Sequence, residues 1–354
     1  MGMKRYYLII PCIIVLVSQT HAQRNSEPPK TMQPCLALLR LPDDADTLYI
    51  LKYCKENDVR FLYGAQGSSL AYGSSNKDSE VINNALYNNV NDLVGFGLTY
   101  KFIDFDLSFS LPKVRILEED RQNLSQFRLV YSMTGRKFAV RAFFMESKGV
   151  IVADQEEDFK SNPDVHVVRV GAQLTYYFNF NKYSFRAANF QNELQRKSAG
   201  SFLVRLEPFY RTIGMKSALV PTALDVPATY GKQVGLEYVK SPGVLIMPGY
   251  GFNFAAYNGK FFVSPIVFFG TGFAVNVYRT ENEKYTFLNA EWAGSVALNV
   301  GYNGRKTYVT LRGTYEAGYF KLDPSYFTTS DLKVSFTVGL RFGHLEKFIP
   351  LSLF

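Results

Sequence analysis

The sequence predicts an all-β protein, a closed antiparallel transmembrane β-barrel of about 12–14 strands. Three observations predict it: a high aromatic content at near-neutral mean hydropathy, apolar residues at every second position, and long strands joined by short turns. Phe, Tyr and Trp make up 16% of the chain. After the N-terminal 22 residues, no run approaches the roughly 18 apolar residues of a membrane-spanning helix.

The N-terminus has the pattern of a secretory signal peptide. Lys4 and Arg5 precede an apolar stretch over residues 6–17, and small residues follow up to Ala22. The stretch is too short to span a bilayer comfortably as a helix, which disfavours an N-terminal anchor. We therefore expect export, cleavage near Ala22, and the outer membrane of a Gram-negative bacterium as the destination.

The pattern along the chain changes twice, which predicts the domain organisation. Residues 1–22 are the expected signal peptide, and residues 23–57 a periplasmic N-terminal extension rich in proline. Residues 58–354 are the expected outer-membrane barrel, because alternation begins at Asp58.

Two cysteines remain after the signal peptide, Cys35 and Cys54. In an oxidising compartment they are a candidate disulfide. Two separate thiols fit the sequence equally well, because spacing alone does not fix the geometry that a disulfide needs.

The early strands are predicted by strict alternation. In residues 104–111 (DFDLSFSL), Phe and Leu occupy one set of alternate positions, and Asp and Ser the other. A helix would scatter these residues around its circumference, whereas a strand places them on two faces. The same pattern recurs over residues 92–102, 126–133, 138–144 and 168–178.

The later strands are longer. They are predicted over residues 243–257, 260–279, 284–303, 305–321 and 331–343. Strands of soluble sandwiches usually have about 5–6 residues, whereas a strand that crosses a bilayer obliquely needs about 9–11. The lengths therefore favour a membrane barrel.

Two kinds of connection separate the predicted strands. Short turns are expected at 134–135, 180–182, 258–259 and 303–304, two of them at Asn-Gly, which favours two-residue hairpins. Longer polar connections are expected at 66–91, 113–123, 147–163 and 322–330. Short turns on one side and long loops on the other are typical of transmembrane barrels.

The expected partners follow from the last strand and from the charge. Residues 332–342 place apolar side chains on one face and end at Phe342, which resembles the C-terminal recognition signal of outer-membrane barrels. We therefore expect contact with outer-membrane lipid and with the barrel-assembly machinery. The net charge of +8 is spread along the chain without a basic block, so nucleic acid is not an expected partner.

In a membrane barrel, the polar face of each strand lines the lumen. The charged residues on that face are the candidate lumen-lining residues: Arg128, Arg141, Arg169, Glu291, Arg312 and Glu316. Glu291, Arg312 and Glu316 lie on adjacent predicted strands and would form a charged ladder. Two interpretations stay open: the charges pair across a narrow lumen, or they bind a passing solute.

No catalytic residue, metal site or cofactor is expected. Cysteines and histidines do not cluster as zinc ligands, and no phosphate-binding Gly-Lys-Ser/Thr motif occurs. His166 and His344 lack a Ser or Cys partner in a hydrolase pattern. We therefore expect a protein that is not an enzyme. A membrane-embedded hydrolase and a soluble periplasmic β-protein are the alternatives.

Several stretches share the pattern of a known family. They are residues 91–100 (NDLVGFGLTY), 147–149 (SKG), 177–179 (YFN), 183–188 (YSFRAA), 195–202 (QRKSAGSF), 219–221 (LVP) and 248–250 (PGY). Together they resemble the Bacteroidetes proteins grouped as domain of unknown function 4421, over roughly residues 58–343. The resemblance implies an exported outer-membrane β-barrel, and it brings no activity and no functional residue.

The expected function is that of an outer-membrane barrel without an assigned role. It is either a structural or surface barrel, or a porin-like pore for small solutes whose ligand the sequence does not identify.

Overall fold

In the computed structural model, twelve strands form a closed antiparallel barrel, which confirms the predicted fold. The structure describes residues 45–53, 57–74, 85–100, 103–111, 125–153, 159–214, 236–280, 283–322 and 325–343. The expected signal peptide, most of the N-terminal extension, Cys35 and Cys54 lie outside these residues.

The barrel strands come in sequence order around the ring. The elements are β1 (Ile50–Lys52), β2 (Asn57–Ser74), β3 (Ala85–Tyr100), β4 (Ile103–Ser110), β5 (Ser125–Thr134), β6 (Phe138–Ala153), β7 (Phe159–Tyr177), α1 (Phe185–Asn189), β8 (Glu193–Gln195), β9 (Ala199–Gly214), β10 (Leu236–Ala256), β11 (Phe261–Thr280), β12 (Lys284–Asn303), β13 (Thr307–Leu322) and β14 (Ser325–Phe342). Strand β7 pairs with β9, and β14 pairs with β2 to close the ring. Strands β1 and β8 form a separate two-stranded sheet.

Each strand alternates between an apolar outer face and a more polar inner face, as the period-two pattern predicts. On β9, Phe202 and Leu206 are 69% and 39% exposed. Glu207, which follows Leu206 and points to the other face, is 1% exposed. The same inner face carries Arg205 and Arg211, both buried. Apolar residues outside and charged residues inside are the arrangement of a barrel that stands in lipid.

The outer face carries large exposed apolar side chains on most of the barrel strands. Aromatic pairs such as Phe61–Phe96 and Phe269–Trp292 lie on it, with ring centroids 5.5 and 6.0 Å apart. A soluble monomer rarely exposes an apolar patch larger than about 300–600 Å². The soluble periplasmic alternative is therefore not favoured. Within the described ranges, none of the helical segments is long and apolar enough to cross a membrane.

The strands extend beyond the membrane. Strand β10 has 21 residues, which at a rise of about 3.3 Å and a tilt of about 45° gives a height of roughly 50 Å. The apolar band of such barrels is only about 25 Å tall. At the end away from the short turns, outward positions become polar, as at Glu146, Lys148 and His166.

This extension corrects three of the predicted loops. Most of residues 66–91, 147–163 and 322–330 belong to strands β2, β3, β6, β7, β13 and β14. Their polar sequence has a physical reason: a strand segment above the lipid meets water on its outer face and no longer needs apolar residues there. The predicted loop at 113–123 lies outside the described residues.

Tight turns join the strands at the end where β2 begins and β14 ends. The predicted turns at 134–135, 258–259 and 303–304 are confirmed to within a few residues, with turns over 135–137, 257–260 and 304–306. Asn258 and Gly259 both have positive φ, at 57° and 86°. A Cβ at Gly259 would lie 2.1 Å from the Gln195 carbonyl oxygen, so glycine is required at this position.

The lipid-facing assignment predicts the effect of a buried charge. We expect Leu206→Arg, near the middle of β9, to lower the free energy of unfolding by about 2–4 kcal/mol. The matched control is Tyr257→Arg in a short turn, where the cost is about 0–1 kcal/mol. Urea unfolding in lipid vesicles, followed by the fluorescence of the single Trp292, measures both. If Leu206→Arg and Tyr257→Arg both left the free energy of unfolding nearly unchanged, the membrane assignment would be contradicted.

Candidate functional site

The lumen is occupied at one end by the segment that joins β7 to β9, residues 178–198, here called the plug. The sequence predicts a short turn at 180–182, and a turn is present over 178–182, but it leads into the plug and not directly into the next barrel strand. The plug contains α1 and β8, and its central residues from Tyr183 to Leu194 are largely inaccessible to solvent. This connection is longer than a simple hairpin, and it folds into the barrel.

Helix α1 begins at a serine cap. The Ser184 backbone is extended, and its Oγ accepts a hydrogen bond of 2.9 Å from the Ala187 N–H. Serine is among the preferred residues at this position because it satisfies an N–H that the first helical turn leaves open. The ring of Phe185 stacks on Tyr177 at the end of β7, with centroids 4.7 Å apart. The cap and the stack fix where the plug turns into the lumen.

The chain that precedes the barrel joins the plug. Strand β1 pairs with β8, with Leu51 opposite Leu194. The Tyr53 hydroxyl donates to the Asn303 carbonyl oxygen at 2.8 Å, and burial raises the pKa of Tyr53 to about 12. The phenol therefore remains a neutral donor at physiological pH. Residues 45–53 thus take part in closing the lumen.

Lumen-facing amides hold the plug by its backbone carbonyls. Asn299 Nδ2 donates to the Ala188 oxygen at 2.6 Å, and Asn303 Nδ2 donates to the Glu193 oxygen at 2.9 Å. Asn253 Nδ2 donates to the Ser184 oxygen at 2.9 Å. On β14, the Arg341 guanidinium donates to the Gln191 oxygen. Since these donors lie on β10, β12 and β14, the plug is bound to several strands.

Glu193 is the ionic centre of the plug. Its carboxylate is 1% exposed and accepts two bonds from Arg136, at 2.8 and 3.2 Å. Ser184 Oγ donates to it at 2.5 Å, and Arg186 Nη1 lies 3.5 Å away. A two-point Arg–carboxylate pair is among the stronger polar contacts in proteins. It ties the plug to the turn between β5 and β6.

A second ionic cluster lies where the ring closes. Arg60 on β2 uses its Nη2 to bind Asp104 and Asp106, each at 2.7 Å, and its Nη1 to bind Asp58 at 3.2 Å and Thr99 at 2.9 Å. Tyr308 of β13 donates to Asp58 at 2.7 Å. One guanidinium thus links β2, β3 and β4, and Asp58 extends the link to β13.

Farther along the lumen, two sets of ion pairs cross the barrel. Arg169 on β7 binds Glu207 on β9 at 2.5 Å and Glu316 on β13 at 3.2 Å. Arg211 on β9 binds Glu291 on β12 at 2.8 Å. We call these five residues the ion-pair layer. Because β7 and β13 lie nearly opposite each other in the ring, the layer narrows the lumen.

Between the plug and the ion-pair layer lies a cavity of about 120 Å³, here called the chamber. The chamber is lined by cationic side chains from six strands: Arg60, Arg128, Arg141, Arg205, Arg312 and Lys333. Of these, Arg312 donates to Asn189 Oδ1 of the plug at 3.2 Å. Arg205 stacks over the Phe268 ring at 3.7 Å. The chamber therefore presents an excess of positive charge to its interior.

All six predicted lumen residues line one or other of two adjacent lumen cavities. Arg169, Glu291 and Glu316 belong to the ion-pair layer, whereas Arg128, Arg141 and Arg312 line the chamber. The predicted ladder of Glu291, Arg312 and Glu316 does not form. Each glutamate instead pairs with an arginine of β7 or β9, because the plug occupies the position toward which Arg312 points.

Four further charged residues of the lumen were not among the predicted ones: Arg60, Arg211, Asp331 and Lys333. Lys333 and Asp331 alternate with the apolar residues of β14, so the period-two pattern already places them on the inner face. Asp58 and Arg60 alternate in the same way at the start of β2. The period-two pattern therefore indicates on which face of the strand a residue lies, but not with which residue it pairs.

The position of His166 does not favour the hydrolase alternative. His166 Nε2 lies 2.8 Å from Glu146 Oε1 on the outer face of β6 and β7. His344 lies outside the described residues. Among the residues that the structure describes, His, Cys, Asp and Glu side chains form no group of three that could hold a metal ion.

Comparisons with known proteins gave one family match and several structural matches. The family model described as "Domain of unknown function (DUF4421)" matches residues 44–342, which includes the plug and all twelve barrel strands. No curated protein sequence matches the chain.

Solved structures of low similarity are outer-membrane proteins. The outer membrane protease OmpT from Escherichia coli is 7% identical, with a TM-score of 0.37, over 81% of this chain and 96% of its own. The toluene transporter TodX from Pseudomonas putida is 7% identical, with a TM-score of 0.30, over 81% and 89%. An outer membrane channel from Pseudomonas putida F1 is 10% identical, with a TM-score of 0.33, over 81% and 95%. At these identities the similarities carry no information on activity.

Proposed function

This chain belongs to the DUF4421 family, and from that premise we propose that it is a pore for small solutes, closed at rest by its own plug. We further propose that it resides in the bacterial outer membrane, assembled there by the barrel-assembly machinery. The apolar outer face supports a membrane location.

One observation carries the proposal: the plug lies inside the barrel and is bound there by the wall. Asn299 and Asn303 of β12 and Arg341 of β14 donate to plug carbonyls, and Arg136 binds Glu193. An open diffusion pore needs a continuous aqueous channel, which these contacts interrupt. The barrel therefore conducts only if the plug shifts.

The chamber favours a pore over a purely structural barrel. In a lumen filled only for stability, buried charges are expected to pair with one another. Arg128, Arg141 and Lys333 instead face a cavity, and none makes a hydrogen bond or an ion pair with another described residue. Charges kept unpaired beside a void are typical of a site that receives a ligand.

A structural or surface barrel is the second candidate, and the ion-pair layer favours it. Arg169 with Glu207 and Glu316 spans the lumen, as expected of a permanently filled barrel. We do not assign an enzymatic activity under either candidate.

The experiment that separates the two candidates is conductance in planar bilayers. Residues 182–196 are replaced by a short Gly-Ser link, which is feasible because Asn179 Nδ2 lies 2.8 Å from the Gly200 carbonyl oxygen. We expect the wild type to stay near the bilayer baseline. The plug deletion is expected to raise conductance by about tenfold or more.

The control variant is Lys306→Gln, a charge removed from an exposed short turn. Heat-modifiable migration on gels shows whether each barrel is folded. A folded deletion variant that stays at baseline would reject the pore and leave the structural barrel. Steady conductance of the wild type would show that the plug does not close the lumen.

A further inference from the structure

We infer that the chamber is a binding site for a small oxyanion with two or more negative charges, of the phosphate class. The inference rests on the proposed function, because it names the solute class that a pore of this kind would take.

The first support is the balance of charge. Six cationic side chains line the chamber together with only two carboxylates, Asp106 and Glu316; the cations are Arg60, Arg128, Arg141, Arg205, Arg312 and Lys333. Each carboxylate already binds an arginine, since Asp106 binds Arg60 at 2.7 Å and Glu316 binds Arg169 at 3.2 Å. The lining of the chamber therefore carries an excess of positive charge.

The second support is the mutual repulsion of the cations. Lys333 lies close enough to Arg128, Arg141 and Arg312 for their charges to interact unfavourably, and Arg141 is similarly placed toward Arg205. Placing like charges together in a poorly solvated space costs free energy unless an anion lies between them. A multivalent anion relieves several of these repulsions at once.

The third support is an unused donor. Arg205 is 8% exposed, and its Nε–H makes no hydrogen bond. Buried N–H groups nearly always have a partner, so this donor on the chamber wall is available for one. Guanidinium groups bind phosphate and carboxylate oxygens through two parallel N–H donors.

The size of the chamber limits the ligand. A cavity of about 120 Å³ compares with roughly 30 Å³ per molecule in liquid water. It has room for a small oxyanion together with water. The chamber lies inside the barrel, away from the lipid face. The ligand is therefore a soluble small anion.

The test is calorimetric titration of the full chain, refolded in detergent, with inorganic phosphate. Sodium chloride at equal ionic strength is the reference. We expect saturable binding of phosphate and none of chloride. The variant R128Q/R141Q/K333Q is expected to weaken phosphate binding by at least about tenfold. These three side chains make no hydrogen bond or ion pair with a described residue, so their replacement leaves the fold intact.

The matched control removes three cations from exposed short turns, in the variant K260Q/R305Q/K306Q, and should bind phosphate like the wild type. If the triple chamber variant does not fold, each single substitution is titrated, and each is expected to weaken binding. Wild-type protein that shows no phosphate binding overturns the inference, as does a folded chamber variant that binds normally. If the plug-deletion variant conducts but no phosphate binding is measured, this inference alone is overturned, and the proposed pore stands.

Discussion

Replacing Glu193 by alanine is expected to lower the free energy of unfolding by about 3–5 kcal/mol, the usual cost of removing one partner of a buried ion pair. Arg136 and Arg186, whose side chains are 7% and 13% exposed, would keep their charges but lose the Glu193 carboxylate. Ser184 would lose the acceptor of its hydroxyl. Urea unfolding in lipid vesicles measures the loss.

Glu193→Ala is also expected to free the plug. Arg136 belongs to a turn of the barrel and Arg186 to the plug, so Glu193 joins the two parts of the chain by ion pairs. The bilayer conductance of this variant should exceed that of the wild type, even where the barrel remains folded.

The matched control for this prediction is Glu237→Ala. Glu237 pairs with Arg279 at 3.4 Å, and both side chains are substantially exposed. Exposed pairs contribute about 0–1 kcal/mol, so this variant should unfold like the wild type. Equal losses for Glu193→Ala and Glu237→Ala would show that Glu193 does not hold the plug.

Replacing Arg60 by methionine is expected to cost about 3–5 kcal/mol as well, for a different reason. Methionine fills a similar volume but removes the guanidinium that binds Asp58, Asp104 and Asp106 together. Asp58 and Asp104 are buried, at 0% and 3% exposure, so water cannot replace the guanidinium. The same unfolding measurement reports the loss.

Arg60→Lys separates charge from geometry. The lysine keeps the charge but offers a single ammonium in place of the planar fork that binds Asp106 through both Nε and Nη2. We expect an intermediate loss. Stability equal to the wild type in Arg60→Met would show that the three aspartates are not held by this residue.

A neighbouring glycine supports this view of the cluster. A Cβ at Gly97 would lie 2.3 Å from Arg60 Nε and 2.5 Å from Asp106 Oδ1. Only glycine lets β3 approach the guanidinium so closely.

Much of the barrel could be predicted from the sequence because one physical rule acts on every strand. Lipid on one side and a polar lumen on the other impose a period of two, and residues 104–111 show it without exception. The rule weakens where a strand rises above the lipid, and there the prediction placed loops in the upper parts of β2, β6 and β14.

The plug could not be predicted in the same way. Its core is irregular, with one short helix and three residues of strand, and neither gives a periodic signal. Ser184 before a helical segment was the available local cue. The family-like stretches at 183–188 and 195–202 fall in or beside the plug, yet resemblance alone does not place a segment inside a barrel.

The ion-pair partners in the lumen could not be predicted from the sequence either. Alternation puts Arg312, Glu291 and Glu316 on the inner face, but contacts across a barrel depend on strand stagger and on what fills the lumen. Arg169 reaches Glu316 from the opposite wall, and Asn189 of the plug takes the place of a carboxylate beside Arg312.

The position of the plug between β7 and β9 has a consequence for the order of folding. The residues that bind it on β12 and β14 come later in the chain, and β14 completes the ring only when it pairs with β2. Pairing between distant parts of a chain is slow to form. We expect the plug to form all its contacts with the wall only as the ring closes. The lumen is then closed by the plug in the same step in which β14 pairs with β2.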